Sequence, residues 1–135
     1  MTPTSKIVKK TTEVYVTLQV EGIHRWKDCP FDDVYFLRDY HRHVFHIKAY
    51  KLVTHSDRDV EFIMLKREIL DYLRSRYTPQ FGMNITAQHR PVHGFGDMSC
   101  EMIAEELINN FDLTRCEVSE DNENGAIVTV EEVRV

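Results

Sequence analysis

Cysteine is scarce in this chain of 135 residues, and the three present, Cys29, Cys100 and Cys116, are odd in number, widely spaced and without a Cys-x-x-Cys. That excludes a disulfide framework and a cysteine zinc site, and it sets the expectation of a reducing, cytoplasmic compartment. No apolar run approaches the roughly 18 residues of a membrane span, and the opening MTPTSKIVKK lacks the apolar stretch of a signal peptide. Five glycines and four prolines are too few for a collagen-like or low-complexity chain. Positive charge is also in deficit. With a net charge of −5 and a pI near 5.8, the protein as a whole repels nucleic acid and anionic membrane, so neither is an expected partner. The remaining composition, 42% hydrophobic and 29% charged, suits one domain with a real core. Histidine alone is in excess: there are seven, more than the glycines, and histidine is the commonest metal ligand.

Residues 1–11 read as a flexible lead-in, because Lys6, Lys9 and Lys10 surround only Ile7 and Val8. A single domain, 12–135, follows. From Thr12 the chain alternates: Val14, Val16, Leu18, Val20, Gly22 and His24 share one face, and Tyr15, Thr17, Gln19, Glu21 and Ile23 the other. That period predicts a strand. The stretch 25–37 has a Cys-Pro, paired aspartates and no sustained period, so it is expected to be a loop. A second strand is expected over 41–53, with His41, His43, Phe45, Ile47 and Ala49 on one face. Phe62, Leu65, Ile69 and Leu73 then recur at helical spacing and predict an amphipathic helix over 62–76.

The segment 78–97, rich in Gly, Pro and Asn, reads as a long irregular connection. Loops beyond about 12–15 residues are usually functional or disordered. A second helix is expected after Ser99, a favoured N-cap, with Glu101 suiting its positive end and Met102, Ile103, Leu107 and Phe111 as its stripe. The last 23 residues read as a hairpin turning at Asn124-Gly125. The expected fold is therefore α+β: a four-stranded antiparallel sheet in ββααββ order, two helices on one face. The other face is left for other subunits to cover.

Three histidines are placed to converge. His41 and His43, at i and i+2 of one strand, project from one face roughly 7 Å apart, and His24 ends the preceding antiparallel strand. Three imidazoles with an open fourth position are the pattern of a catalytic zinc centre, although His-x-His on a strand also arises by chance. His46 points to the other face and His55 sits in a polar turn, so both read as solvated or structural.

In these residues the chain resembles the 6-pyruvoyl-tetrahydropterin synthase and 6-carboxy-tetrahydropterin synthase family of the tunnelling fold. The resemblance rests on Ile23-His24-Arg25, His41-Arg42-His43, Val60 to Lys66, Ser99-Cys100-Glu101 and Val118-Ser119-Glu120, in that order over roughly 12–130. Each motif is weak alone, and their joint order is more specific. The resemblance implies a zinc-dependent lyase acting on 7,8-dihydroneopterin triphosphate or a related pterin. It implies His24, His41 and His43 as ligands of Zn²⁺, Glu120 as the acceptor for the pterin's 2-amino group and ring N–H, and substrate contacts from Ser99 and Glu101. It also implies a homo-oligomer, a hexamer or related ring, with substrate between subunits.

The departures are as specific. The family's cysteine base is absent where Phe36, Leu37 and Arg38 stand, and its Leu-Asp-His is absent at Arg76-Tyr77-Thr78. Cys29, in the first loop, is one replacement thiol; Asp32, Asp33 and Asp39 are alternative bases; His89, His93 and Asp97 are candidates for a displaced acid/base pair. Cations for a triphosphate are available in Arg25, Lys27, Arg42, Lys48 and Arg90. Two other readings stay open: a divergent tunnelling-fold protein that binds a purine or pterin without the parent chemistry, and a structural domain whose histidines are incidental.

Overall fold

A computed structural model describes residues 5–77 and 92–132. Strand β1 (Thr12–His24) pairs antiparallel with β2 (His41–Val53) along its whole length, from Thr12 opposite Val53 to His24 opposite His41. The alternation is as expected: Val16, Leu18, Val20, Phe45, Ile47 and Ala49 are buried on one face. Helix α1 (Phe62–Arg76) has the expected bounds, capped by the Glu61 carboxylate accepting from Met64 N–H at 2.7 Å, and it buries Leu65, Ile69 and Leu73.

The sheet departs from the four-stranded antiparallel expectation. Among the described residues it has five strands in the order β3-β1-β2-β4-β5, where β4 is Arg115–Glu120 and β5 is Asn124–Thr129, and the outer pair, β3 (Val92–Gly96) with β1, is parallel. The ββααββ order is broken because β3 stands between the helices, at the end of the segment read as irregular. Two glycines in VHGFG weaken any strand signal, and the pairing partner is some seventy residues away in sequence. Gly22 lets β3 close: a Cβ there would lie 2.5 Å from the Phe95 ring, which packs on Phe45 at a centroid distance of 5.0 Å. The first loop is also more ordered than expected, since a 3₁₀ helix spans Asp32–Arg38 with a kink at Val34.

Helix α2 (Cys100–Phe111) starts at Ser99, whose Oγ accepts from Met102 N–H at 3.2 Å, and it buries Ile103, Ala104, Leu107 and Ile108 against β4 (Arg115–Glu120) and β5 (Asn124–Thr129). The turn between these strands lies before Asn124-Gly125, which belongs to β5. Asp121 and Asn122 adopt φ of 54° and 58°, and Glu123 N–H donates to the Glu120 carbonyl at 3.0 Å. Gly125 has a different task, because a Cβ would lie 2.2 Å from the Val118 carbonyl across the hairpin. Both helices cover one face of the sheet, while Tyr15, Leu52 and Ile127 are exposed on the other. Among the described residues no helix is long and apolar enough to cross a membrane.

Candidate metal centre

The strand registers bring four side chains together at one end of the core face. His24 is directly opposite His41, His43 is opposite Gly22 and one diagonal step away, and Glu120 enters from β4 opposite Phe45. One ligand atom from each of His24, His41, His43 and Glu120 lies within 4.8 Å of the others, an arrangement able to hold a metal ion. The imidazoles meet edge to face, with centroids 4.5 to 5.3 Å apart.

Each ring is oriented through its outer nitrogen. His24 Nδ1 is 2.8 Å from the Met98 carbonyl, His41 Nδ1 is 2.9 Å from the Asp39 carbonyl, and His43 Nδ1 is 2.6 Å from Asp121 Oδ2. The two carbonyls only accept, so in the neutral His24 and His41 rings the proton belongs on Nδ1 and the Nε2 lone pair faces inward, while His43 lies between two carboxylate oxygens, Asp121 Oδ2 and Glu120 Oε2, each at 2.6 Å. Metal-bound histidines are held in this way. His24 Nε2 and His41 Nε2 are buried without a hydrogen-bond partner. Glu120 Oε2 is 3.3 Å from His24 Nε2, but the angles are not those of a hydrogen bond, so the contact is proximity between two potential ligands.

Distances test the fit. Zinc bonded at 2.0–2.1 Å in a tetrahedron sets its ligands about 3.3 Å apart, and the His24 to Glu120 separation of 3.3 Å matches that edge. His43 Nε2 and Glu120 Oε2 are closer, at 2.6 Å, and must part slightly to admit an ion. Two imidazole nitrogens with no proton to share and a carboxylate beside them form a donor set able to hold a transition-metal ion, zinc among others. Asp121 completes the outer ring. Hydrogen bonds from His43 and the Val44 N–H hold its carboxyl below the usual carboxylate range.

The cluster opens into a cleft of about 510 Å³ walled by Trp26, Leu37, Asp97 and the first turn of α2. A larger hollow of about 720 Å³, whose walls include Thr17, Gln19, His46 and Lys48, lies away from the four ligands. The smaller one is lined by His24, His41 and Glu120 of the cluster. Ser99, Glu101 and Asp97 line it, and the Asp97 carboxylate accepts from Arg25 Nε at 3.2 Å. Among the described residues, Arg25 is the one of the cations considered for a triphosphate that lines this cleft. Arg42 is paired with Glu21 at 2.8 Å, and Lys48 lies over the Tyr15 ring.

Other candidates fall elsewhere. Cys29 is 1% exposed, its thiol directed at the Phe31 and Val34 carbonyls rather than into the cleft. His93 is buried on β3, where its Nδ1 donates to the Glu21 carbonyl at 3.0 Å and its ring stacks on Phe95. Burial pushes its imidazole below the ordinary value. His89 and Arg90 lie outside the described residues. His46 and His55 are outside the cluster, as expected.

Sequence reasoning missed Cys100 and Asp121. The Cys100 thiol lies in the cleft 4.0 Å from Glu120 Oε1, and burial, with the Glu120 and Glu101 charges, pushes it up to about 12. The one available signal was adjacency, since each neighbours a residue already singled out.

No protein-family model matches the chain, and no curated protein does. Among solved structures, the chain is similar to the uncharacterized protein WS1659 from Wolinella succinogenes, with a TM-score of 0.57 and 11% identity, covering 91% of this chain and 100% of that one. The likeness is one of fold.

Proposed function

We propose that the chain is a zinc-dependent enzyme similar to the 6-pyruvoyl- and 6-carboxy-tetrahydropterin synthases, acting on 7,8-dihydroneopterin triphosphate or a related pterin. The observation that carries the zinc reading is the inward convergence of three imidazole Nε2 atoms, two of them buried and unpartnered, beside a cleft. The pterin assignment rests on the ordered motifs. Zinc bound there supplies a Lewis acid for a substrate hydroxyl or carbonyl.

The chain's own residues do the rest. His24, His41 and His43 would hold the metal, and the Met98, Asp39 and Asp121 oxygens keep their rings aimed. Trp26 offers a flat apolar wall to a planar ring, while Ser99 and Glu101 present polar groups at the opening of α2. Arg25, steadied by Asp97 and stacked over Tyr40 at 4.4 Å, places positive charge at the rim for a phosphate. Incubating the zinc-loaded protein with 7,8-dihydroneopterin triphosphate and measuring triphosphate release tests this reading. A zinc-loaded protein that leaves the compound intact refutes the synthase assignment.

One observation favours a second reading. The Cys29 thiol is packed among loop carbonyls, and the thiol in the cleft is Cys100, on a different element from the family's base. A protein of this fold that binds a pterin or purine without the parent chemistry would have the same metal centre and no turnover. Binding of a pterin to the zinc form, with triphosphate release absent, separates this reading from the first.

A further inference from the structure

Glu120 stands where the resemblance places the pterin's carboxylate partner, yet its side chain is directed at the imidazoles. Oε2 is 2.6 Å from His43 Nε2 and 3.3 Å from His24 Nε2, and Oε1 receives the Cys100 thiol at 4.0 Å. We propose that Glu120 is the fourth protein ligand of the metal, closing the resting centre until a molecule entering the cleft displaces it. The proposal rests on the metal-binding reading and goes beyond it, because an all-histidine centre leaves that position to water or substrate.

Three features support it. First, the carboxylate is delivered by a rigid element: Glu120 is paired with Phe45 of β2 and Asn124 of β5, and its carbonyl is tied by Glu123 N–H at 3.0 Å. Second, three neutral imidazoles leave a dication uncompensated beside His24, which is only 7% exposed. Buried charge is costly unless paired, and one carboxylate ligand halves the excess. Third, the thiol on Oε1 orients the carboxylate much as the carbonyls orient the rings. Asp97 and Glu101 are then the carboxylates left to face a bound ring.

The test compares wild type with Glu120→Gln, which keeps shape and removes the charge. Zinc affinity is measured by chelator competition, and the cobalt-loaded proteins are titrated with azide while visible absorption is followed. The proposal expects zinc affinity in Glu120→Gln to fall by at least the roughly 10–100-fold typical of losing even an outer-shell partner. It also expects azide to shift the variant's spectrum at concentrations that leave wild type unchanged. Equal zinc affinities, or azide binding to wild type as readily as to the variant, overturn it while leaving the metal reading intact. A wild type that takes up no zinc or cobalt overturns both. The wild-type titration decides even if the variant fails to fold, because azide binding to wild type at low concentration shows an open position.

Discussion

Asp121 holds His43 from outside the cluster: its Oδ2 lies 2.6 Å from His43 Nδ1, and its Oδ1 accepts the Val44 N–H at 2.9 Å. The residue also takes the first left-handed position of the β4–β5 turn, with φ at 54°. One side chain thus couples the hairpin's geometry to the aim of a candidate metal ligand. Asp121→Asn keeps the size and loses the charge that makes His43 a better ligand. Its zinc affinity, by chelator competition, is expected to fall about 10–100-fold with the fold intact. An unchanged affinity would mean that the contact belongs to the hairpin alone.

Phe95 over Gly22 gives the second prediction. A methyl at Gly22 would meet the Phe95 ring at 2.5 and 2.6 Å and Phe45 at 2.9 Å, so Gly22→Ala overpacks the junction of β1 and β3. A loss of about 1–3 kcal/mol is expected, read from urea midpoints. Adding Phe95→Leu to Gly22→Ala should cost less than the sum of the two single changes. Strict additivity would show that the ring does not press on this position.

Much of this was legible in the sequence, and what was not shares a cause. Period-two alternation placed His24, His41 and His43 on the core face, and helical spacing gave α1 its bounds, because both are local patterns. Strand β3 is held by parallel pairing with Glu21, Gly22 and Ile23, so its own five residues carry little of the information. Asn124-Gly125 has the composition of a turn, yet Gly125 is needed for close approach to the Val118 carbonyl. At the site the imidazoles were visible, whereas their outer partners were not. Two of those partners are backbone carbonyls, of Met98 and Asp39, which any residue type supplies.

His93 gives a pH prediction. Burial is the main cause of its lowered pKa; Arg74 acts in the same direction, and the Glu21 carbonyl opposes them. The folded protein therefore binds a proton at His93 less readily than the unfolded chain, whose ordinary value is 6.5. The associated stability is fully present above that value and is lost as pH falls through the lowered folded value. His93→Phe, compared with wild type by chemical denaturation with chelator present throughout, should show a shallower loss of stability as pH falls below 6.5. Parallel curves would assign the acid limb to other groups.

Cys29 tests which thiol matters. It is packed against loop carbonyls and does not line the cleft, so Cys29→Ala is expected to lower stability while leaving zinc content and any pterin turnover within about a factor of three, as for a buried structural cysteine. A loss of turnover of a hundredfold or so with zinc retained would show that the first loop swings the thiol to the substrate.

The central claim is the metal centre, and metal analysis of the purified, zinc-reconstituted chain tests it most directly. The account predicts about one tightly held zinc per chain. It predicts loss of that zinc in a His24→Ala/His41→Ala double variant whose far-ultraviolet circular dichroism is unchanged. Wild type with no tightly held metal, or a folded double variant with wild-type zinc content, contradicts it.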